Sequence, residues 1–468
     1  MPRTGSTASG LVPAVGVPRP RSAGSGAGRI AIVSASVGAG HDGAAAELAL
    51  RLAAEGFAVD RFDLLDLLPA RLGRVVQEGY HRMLVRAPWA YQRIYAGTER
   101  AGGVGPASRA LLRAAEEPVL RALSPGTGAV VSTYPGASRV LGALRLKGRL
   151  AAPVLTYLTD FSVHPLWVAD GVDVHLAAHD VPAGQARAAG ARDVRVCGPV
   201  TGSRFRPCGT QRRARARAAF GLPPDAPLAL LVAGSWGVGQ VREVAVELRD
   251  CGVAVPVVVC GRNRALAERL RAEGIAHVYG WVDDMPGLMH ACDVLVQNAG
   301  GLTSLEAFAA GLPVASFRCI PGHGLTNAAA LEEAGVATWI RDPAALGAVL
   351  RELVDGPLGR RQRARGLALF ARPGDGGPAA EIARVHRSGP VRRSRPPTAR
   401  QRPRPRVRPL PHRLAATAAV ASAVWAGAVG TGVATSYDGA DLIHAIGHGL
   451  DPDDPAPLHA PHPGDRHS

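Results

Sequence analysis

The segment SASVGAGHDGAAA, residues 34–46, holds the first residues that could carry out chemistry. A short apolar run ends at Ser34, Gly38 and Gly40 allow a tight turn, and His41 stands where a helix is predicted to begin. Glycine lets the backbone approach a ligand, and a helix N-terminus favours negative charge. An imidazole at this opening could act as a general base near neutral pH, the alternative being a capping residue without chemistry. The segment is not the dinucleotide-binding fingerprint, because G-x-G is followed here by His and Asp.

A carboxylate and an imidazole follow another predicted strand in the segment LTDFSVHPLW, residues 158–167. Asp160 comes just after the strand, and His164 and Trp167 follow in a loop. Because parallel sheets bind ligands at the carboxyl ends of their strands, these side chains are well placed for a site. The alternative is that Asp160 only caps the next turn.

Two glycine-rich turns in the second half of the chain indicate phosphate binding. AGSWGVGQV, residues 233–241, leads from a strand into a helix, but it has no G-K-S/T ending and is therefore not a P-loop. In QNAGGLTSLEAFAAG, residues 297–311, Thr303 and Ser304 are predicted to cap a helix whose N–H groups could hold a diphosphate. Glu306, in the first turns of that helix, could accept hydrogen bonds from both hydroxyls of a ribose. A further loop, PGHGLTNA, is expected to face the same cleft. The predicted donor-binding residues are Gly234, Ser235, Gly239, Gly300, Gly301, Leu302, Thr303, Glu306, His323 and Asn327.

The elements that would position these residues alternate between short apolar strands and amphipathic helices, which predicts parallel sheets with crossover helices. This alternation of strands and helices runs from Arg29 to about Val200, is interrupted by a polar, basic stretch, and resumes at residue 227. The fold class is therefore α/β, with two Rossmann-like doubly wound halves that face a cleft. The first half is assigned to 29–205 and the second to 206–386.

The ends of the chain differ in composition from the two halves. Residues 1–28 and 437–468 are predicted to be disordered tails, and 387–413 is a linker with ten arginines and no acidic residue. Residues 414–436 carry no charge and are long enough to span a bilayer, but they are rich in alanine and glycine. A single membrane span, a helix on the membrane surface and a soluble helix all remain open. The linker favours an anionic membrane surface over nucleic acid, with the large halves in the cytoplasm. The six cysteines, which form no C-x-x-C pair, are expected to be reduced thiols that bind no metal.

The motifs resemble those of GT-B nucleotide-sugar transferases, a group that includes monogalactosyldiacylglycerol synthase, processive diacylglycerol glucosyltransferases and the peptidoglycan lipid N-acetylglucosaminyltransferase. The resemblance covers about 29–372 and rests on SASVGAGH, GYHRML…PWAYQRIY, TDFSVHPLW, GPV at 198–200 and GGLTSLEAFAAGLP. It implies that Glu306 holds the donor ribose and that His41 deprotonates or orients the acceptor, with Asp160 as its partner or rival. The acceptor side would then include Gly38, Gly40, His164 and Trp167.

One departure from the resembling group concerns the donor sugar. Its members often carry a Gln-Gln or Gln-Glu pair ahead of the loop asparagine, whereas His323 and Gly324 precede Asn327 here. The identity of the sugar therefore cannot be transferred from the resemblance.

The sequence thus predicts an inverting hexosyltransferase that moves a sugar from a nucleotide sugar, expected to be UDP-linked, to a lipid hydroxyl such as that of diacylglycerol. No cofactor or metal is required beyond the nucleotide-sugar co-substrate, and no nucleic acid is expected to bind. The alternatives are a nucleotide-sugar epimerase of the same fold, a transferase with a soluble acceptor, and a non-catalytic nucleotide-sugar sensor. The aromatic and basic stretch 79–95 looks lipid-facing and argues against the epimerase, although an ordinary amphipathic core helix would show the same pattern.

Overall fold

The structure is a computed structural model that describes residues 27–69, 72–101, 103–371 and 376–389. Apart from a few residues at their borders, the predicted tails, the linker 387–413 and the apolar segment 414–436 lie outside these ranges. None of the helices within the described ranges is long and apolar enough to cross a bilayer.

The first half is a six-stranded parallel sheet in the order β2-β1-β3-β4-β5-β6, with helices on its faces. Its elements are β1 (Arg29–Ser34), α1 (Ala39–Ala54), β2 (Ala58–Asp63), α2 (Leu72–Arg86), α3 (Pro88–Ala101), α4 (Pro106–Ala122), β3 (Thr127–Ser132), α5 (Pro135–Leu146), β4 (Val154–Tyr157), β5 (Val174–Ala177), α6 (Asp180–Ala188) and β6 (Val194–Val196). A short 3₁₀ helix, Pro165–Trp167, follows β4.

The second half is another six-stranded parallel sheet, in the order β12-β11-β10-β7-β8-β9. Its strands are β7 (Leu228–Val232), β8 (Val255–Val259), β9 (His277–Tyr279), β10 (Val294–Gln297), β11 (Val314–Phe317) and β12 (Ala337–Ile340). Its helices are α7 (Thr210–Ala219), α8 (Val241–Asp250), α9 (Arg264–Ala272), α10 (Met285–Ala291), α11 (Leu302–Ala310), α12 (His323–Glu333), α13 (Leu346–Val354), α14 (Pro357–Ala368) and α15 (Gly377–Arg387).

The central strands carry continuous apolar runs because helices cover both faces of each sheet. In β1, residues 30–33 are fully buried, and in β7 residues 228–230 are fully buried. These continuous apolar runs are what the sequence shows in place of an alternating pattern. The predicted α/β class with two doubly wound halves is confirmed.

The last helix, α15, packs against the first half, although it follows the second half in the chain. Its buried residues Ala379, Ile382 and Ala383 pack with Ile30 and Leu48 in the core of the first half. The sequence prediction placed this segment in the second half, because chain order was the only guide. The structure shows that α15 returns to the first sheet, since the apolar face of α1 and β1 would otherwise remain uncovered.

Candidate functional site

The two sheets each have a point where the strand order reverses, and the predicted site residues gather at these points. In the first sheet β1 lies between β2 and β3, and in the second sheet β7 lies beside β10. Crevices at the carboxyl ends of strands at such points are the ligand sites of doubly wound sheets. The loops 35–38, 233–240 and 298–301 follow β1, β7 and β10 at these crevices.

The loop after β1 presents His41 in the first turn of α1. Gly38 precedes the helix with an extended backbone, and no side chain caps the helix N-terminus. The hydroxyls of Ser34 and Ser36 donate to the carboxylate of Asp42 at 2.7 and 2.8 Å. These bonds fold the loop back onto the helix start and so fix the direction in which His41 leaves the backbone.

The imidazole of His41 contacts the residues that follow β4. Its Nδ1 lies 2.8 Å from the hydroxyl of Thr159, and its ring packs against Trp167 and Tyr134 at centroid distances of 5.8 and 5.4 Å. Trp167 in turn donates its indole N–H to a carboxylate oxygen of Asp160 at 3.1 Å. The two predicted catalytic residues, His41 and Asp160, are therefore gathered around one tryptophan.

The structure buries His164 and Trp167, which the sequence analysis placed on the acceptor side. His164 accepts a hydrogen bond from the backbone of Leu166, and its Nε2 lies 3.2 Å from the hydroxyl of Thr98 in α3. Burial lowers the pKa of His164 to about 4, so this ring is neutral at pH 7. Trp167 is only 1% exposed. The 3₁₀ helix directs both side chains into the protein, where they pack beneath the loop that follows β4.

The glycine-rich loop after β7 is held against the end of β10. Asn298 donates its side-chain amide to the carbonyl of Val238 at 3.0 Å. Gly234 and Gly239 have φ angles of +66° and +99°, and a Cβ on Gly239 would lie 2.5 Å from the Asn298 amide nitrogen. Ser235 lies between them, and its carbonyl accepts a backbone N–H from the neighbouring loop. At these two glycines the turn therefore exposes backbone groups, without side chains, at the switch point.

Helix α11 opens without a side-chain cap at the same crevice. Gly301 is its N-cap residue, and Leu302 is the first helical residue. The prediction that Thr303 and Ser304 cap this helix is wrong, because the helix begins before them and both lie in its first turn. The hydroxyl of Ser304 is buried and has no partner among the described residues. The first N–H groups of α11 thus remain available to an anion.

Glu306 lies in the second turn of α11. Burial raises the pKa of its carboxyl group to about 8. Within the part of the chain that the structure describes, this carboxyl has no hydrogen-bond or salt-bridge partner. A desolvated carboxyl without an internal partner at a switch point is the arrangement expected of a group that binds a ligand.

Asn327, a predicted donor contact, has its side chain hydrogen-bonded within the protein. Its side-chain oxygen accepts hydrogen bonds from the backbone N–H and the hydroxyl of Ser162, at 2.8 and 2.9 Å, and its amide donates to the carbonyl of Ala299 at 2.9 Å. The residue is fully buried, and it packs beneath Gly300, whose φ is +70°. Asn327 therefore joins the two halves and supports the loop before α11.

Helix α3 supplies contacts that the sequence analysis missed. Its Tyr91 hydroxyl lies 2.9 Å from Nδ1 of His323, and its Tyr95 hydroxyl lies 3.1 Å from that of Thr326, both across the gap between the halves. The sequence analysis took the stretch 79–95 as lipid-facing. Its tyrosines instead face the second half, and the only signal for this was their spacing along one face of a helix.

The N-termini of α1 and α11 meet at glycines of α1. A Cβ built on Gly40 would lie 3.7 Å from the Cβ of Leu302, and one on Gly43 would lie 2.5 Å from its Cδ2. The absence of side chains at these two positions lets Leu302 seat against the first half. The base candidate and the uncapped helix are thereby brought to one cleft.

The alignments with solved structures identify the fold class of the protein. The structure aligns with sucrose-phosphate synthase from Thermosynechococcus elongatus at a TM-score of 0.50 and 17% identity, over 77% of this chain and 98% of that one. TcCGT1, solved in complex with UDP, aligns with the same TM-score at 13% identity, over 77% and 98% of the two chains. Together with the two facing sheets, these alignments identify the fold as GT-B.

The sequence comparisons show which transferases this chain is similar to. Residues 44–201 match the family described as monogalactosyldiacylglycerol (MGDG) synthase, and residues 236–355 match glycosyl transferases group 1. A processive diacylglycerol beta-glucosyltransferase of Bacillus mycoides strain KBAB4 is 28% identical over 52% of this chain and 64% of its own. The one from Bacillus subtilis strain 168 is 30% identical over 44% and 56%. The alignments thus span less than two thirds of these relatives. The predicted resemblance is confirmed, and neither family model describes an epimerase.

Proposed function

We propose that the protein transfers a hexosyl unit from a UDP-sugar to a hydroxyl of a diacylglycerol-type lipid at the cytoplasmic face of a membrane. One observation carries the proposal. The cleft holds an imidazole and a carboxylate from the first half opposite an uncapped helix N-terminus and the unpartnered Glu306 of the second. The family matches divide in the same way. The MGDG synthase model matches the first half, and the glycosyl transferases group 1 model matches the second.

The second half would bind the nucleotide. The diphosphate would rest on the N–H groups of Gly301 and the residues after it, with the turn Gly234–Gly239 on its other side, because both present unshielded backbone. Glu306 would accept hydrogen bonds from the two ribose hydroxyls. A ligand that donates to this carboxyl stabilises its charged form, which burial alone disfavours.

The first half would activate the acceptor. If Nδ1 of His41 donates to the hydroxyl of Thr159, Nε2 keeps its lone pair and can take the proton of the acceptor hydroxyl. The hydroxyl oxygen attacks the anomeric carbon as the bond from that carbon to the diphosphate oxygen breaks. The bonding electrons leave with UDP, whose charge the helix N-terminus stabilises, and the configuration inverts. Asp160, fixed by Trp167, would stabilise the imidazolium that forms.

The proposal is tested with purified protein, radiolabelled UDP-hexoses and diacylglycerol in detergent micelles. We expect label to enter the organic phase in wild type. His41→Ala should reduce turnover by about 10²–10⁴-fold while leaving UDP affinity near the wild-type value. Asp160→Asn distinguishes the two base candidates, because it should lower turnover less than His41→Ala if the imidazole is the base. No label in the organic phase, or label released only as free hexose by transfer to water, would refute the proposal.

The hairpin of α2 and α3 is the part of the first half best suited to a membrane surface. Trp89, in the first turn of α3, is 61% exposed, and Arg82, Arg86 and Arg93 are exposed on the neighbouring turns of α2 and α3. Tryptophan prefers the boundary between headgroups and acyl chains, and arginines are attracted to anionic lipids. We infer that this tip docks on the membrane, with the segments 387–413 and 414–436 as further predicted contacts.

Membrane docking is tested by sedimentation with vesicles of phosphatidylglycerol and phosphatidylcholine. We expect binding to rise with the anionic lipid, to weaken at high salt, and to fall in Trp89→Ser. Trp281→Ser is the matched control, because Trp281 in the second half is 52% exposed but lies outside the hairpin. Equal losses in the two variants, or none in either, would remove the hairpin from the docking surface.

A further inference from the structure

Arg318, the residue that follows β11, has a backbone conformation that arginine rarely adopts. Its φ is +44°, and within the part of the chain that the structure describes it is the only residue other than glycine with a positive φ. A side chain in this left-handed region crowds the backbone, whereas glycine adopts the same angle freely. Such a conformation persists only where the surrounding contacts hold it, so the contacts of this side chain must account for the turn.

The guanidinium of Arg318 bonds to two places on α8. Its Nε donates to Oε2 of Glu247 at 2.8 Å, and its Nη2 donates to the other oxygen of that carboxylate. Its Nη1 donates to the side-chain oxygen of Gln240 at 3.2 Å. Gln240 is both the N-cap residue of α8 and the last residue of the glycine-rich loop 233–240. One planar guanidinium therefore joins the end of β11 to the first turns of α8 and to the end of this loop.

The residues after Arg318 pack on the same loop. The backbone N–H of Ile320 donates to the carbonyl of Asn298 at 2.9 Å, and Ile320 is buried. A Cβ on Gly239 would lie 2.9 Å from Cγ2 of Ile320. Because Asn298 also bonds to the carbonyl of residue 238, the stretch 238–240 is held by three neighbouring residues, and Arg318 holds its last position.

We propose that Arg318 is a positioning residue for the donor diphosphate, which holds the glycine-rich loop at Gln240 so that the turn Gly234–Gly239 keeps the shape that receives the ligand. The inference rests on the proposed function, which places the diphosphate on this turn. A loop with several positive-φ glycines has other conformations open to it, and UDP affinity falls in proportion to the time that the loop spends in them. Glycine would fit the φ at position 318 but could not reach Gln240.

The variant Arg318→Gly removes the guanidinium and the unfavourable φ together. We expect the Kd of UDP, measured by calorimetry on the full-length protein, to rise about 3- to 10-fold, as for a loop that is correctly shaped about a third to a tenth of the time. The urea midpoint should change little, because relief of the φ offsets the lost ion pair with Glu247. Gln240→Ala, at an exposed residue, removes only the bond to the loop and should weaken UDP binding in the same way. The double variant should bind UDP no more weakly than the weaker single variant, because both changes break one link.

Arg341→Ala is the matched control. Arg341 follows the neighbouring strand β12 and pairs with Glu332 of α12 at 2.6 Å, but among the described residues it bonds to neither α8 nor the glycine-rich loop. Loss of this exposed ion pair should leave the Kd of UDP within about 2-fold.

Hydrogen exchange tests the contact without any nucleotide. The amide of Val244 donates to the carbonyl of Gln240 at 3.0 Å, and the amide of Ala267 makes the corresponding bond in α9, to Asn263, at 3.2 Å. Exchange at Val244 should be about 3- to 10-fold faster in Arg318→Gly than in wild type, and exchange at Ala267 should be unchanged.

Three results would each overturn the inference. These are UDP binding with wild-type affinity in Arg318→Gly and Gln240→Ala, an equal loss of affinity in Arg341→Ala, and unchanged exchange at Val244. If wild type does not bind UDP, the proposed function fails and the diphosphate role fails with it, whereas the exchange at Val244 still shows whether Arg318 holds the loop.

Discussion

Donor binding should release a proton from Glu306, and this release provides a direct test of the site. The carboxyl has a pKa of about 8 in place of 4.5, so about 0.9 of it is protonated at pH 7 in the free protein. Two ribose hydroxyls that donate to the charged form, at about 1.5–3 kcal/mol each, would lower this pKa by about 2–4 units. The bound carboxyl is then ionised at pH 7, and close to one proton leaves.

The assay is calorimetry of UDP-glucose binding at pH 7 in buffers with different ionisation enthalpies, whose slope gives the number of protons released. UDP-glucose is preferred to UDP because its diphosphate does not titrate near neutrality. We expect about 0.8–0.9 proton more in wild type than in Glu306→Gln. The association constant of wild type should rise as the pH increases from about 6 to 8, and that of Glu306→Gln should be flatter.

The same carboxyl affects the free energy of unfolding with a definite sign. Its pKa is higher in the folded state than in the unfolded chain, so the folded protein should lose stability as the pH rises from 4.5 to about 8. Glu306→Gln should remove this loss. Glu332→Gln is the control, because Glu332 is paired with Arg341, which lowers its pKa.

The calorimetry decides whether Glu306 binds the donor. Equal proton release in wild type and Glu306→Gln would show that this carboxyl does not contact the donor.

Four further predictions concern the support of the site. Gly300→Ala should destabilise the protein by about 2 kcal/mol or more in urea unfolding, because its φ is +70° and its Cβ would lie 2.6 Å from that of Asn327. Gly301→Ala, with open space at its Cβ, should fold normally but bind UDP more weakly, and a Gly301→Ala protein with wild-type affinity would move the diphosphate elsewhere. Asn327→Ala should cost about 1–3 kcal/mol because buried partners lose their hydrogen bonds, and a change below 0.5 kcal/mol, about the usual surface effect, would contradict its joining role. The pKa of His164 is lowered to about 4, so wild type should lose stability as the pH falls from 6.5 towards 4, and His164→Asn should flatten that part of a pH–stability curve.

Much of the donor side could be predicted because local sequence determines it. A glycine after a buried strand and before a helix must lie at the carboxyl end of that strand, which places Gly234 and Gly301 at the ligand-binding edge of a parallel sheet. The strand order then puts both glycines at the switch point. Glu306 follows at helical spacing. Helix capping was mispredicted at Thr303 and Ser304, because a cap depends on which residue first adopts helical angles, and the sequence leaves that open by one or two residues.

The sequence by itself determined the two parallel sheets, their covering helices and the glycine turns that precede α1 and α11, because these follow from apolar periodicity and backbone freedom over short stretches. Only the tertiary structure decided which side chains meet across the cleft. Tyr91 and His323 are 232 positions apart, and Ser162 and Asn327 are 165 apart. Such pairs depend on how the two halves dock, which no local pattern encodes. The same reason applies to α2 and α3, since an apolar stripe on a helix looks alike whether it packs on a lipid, a core or a second sheet.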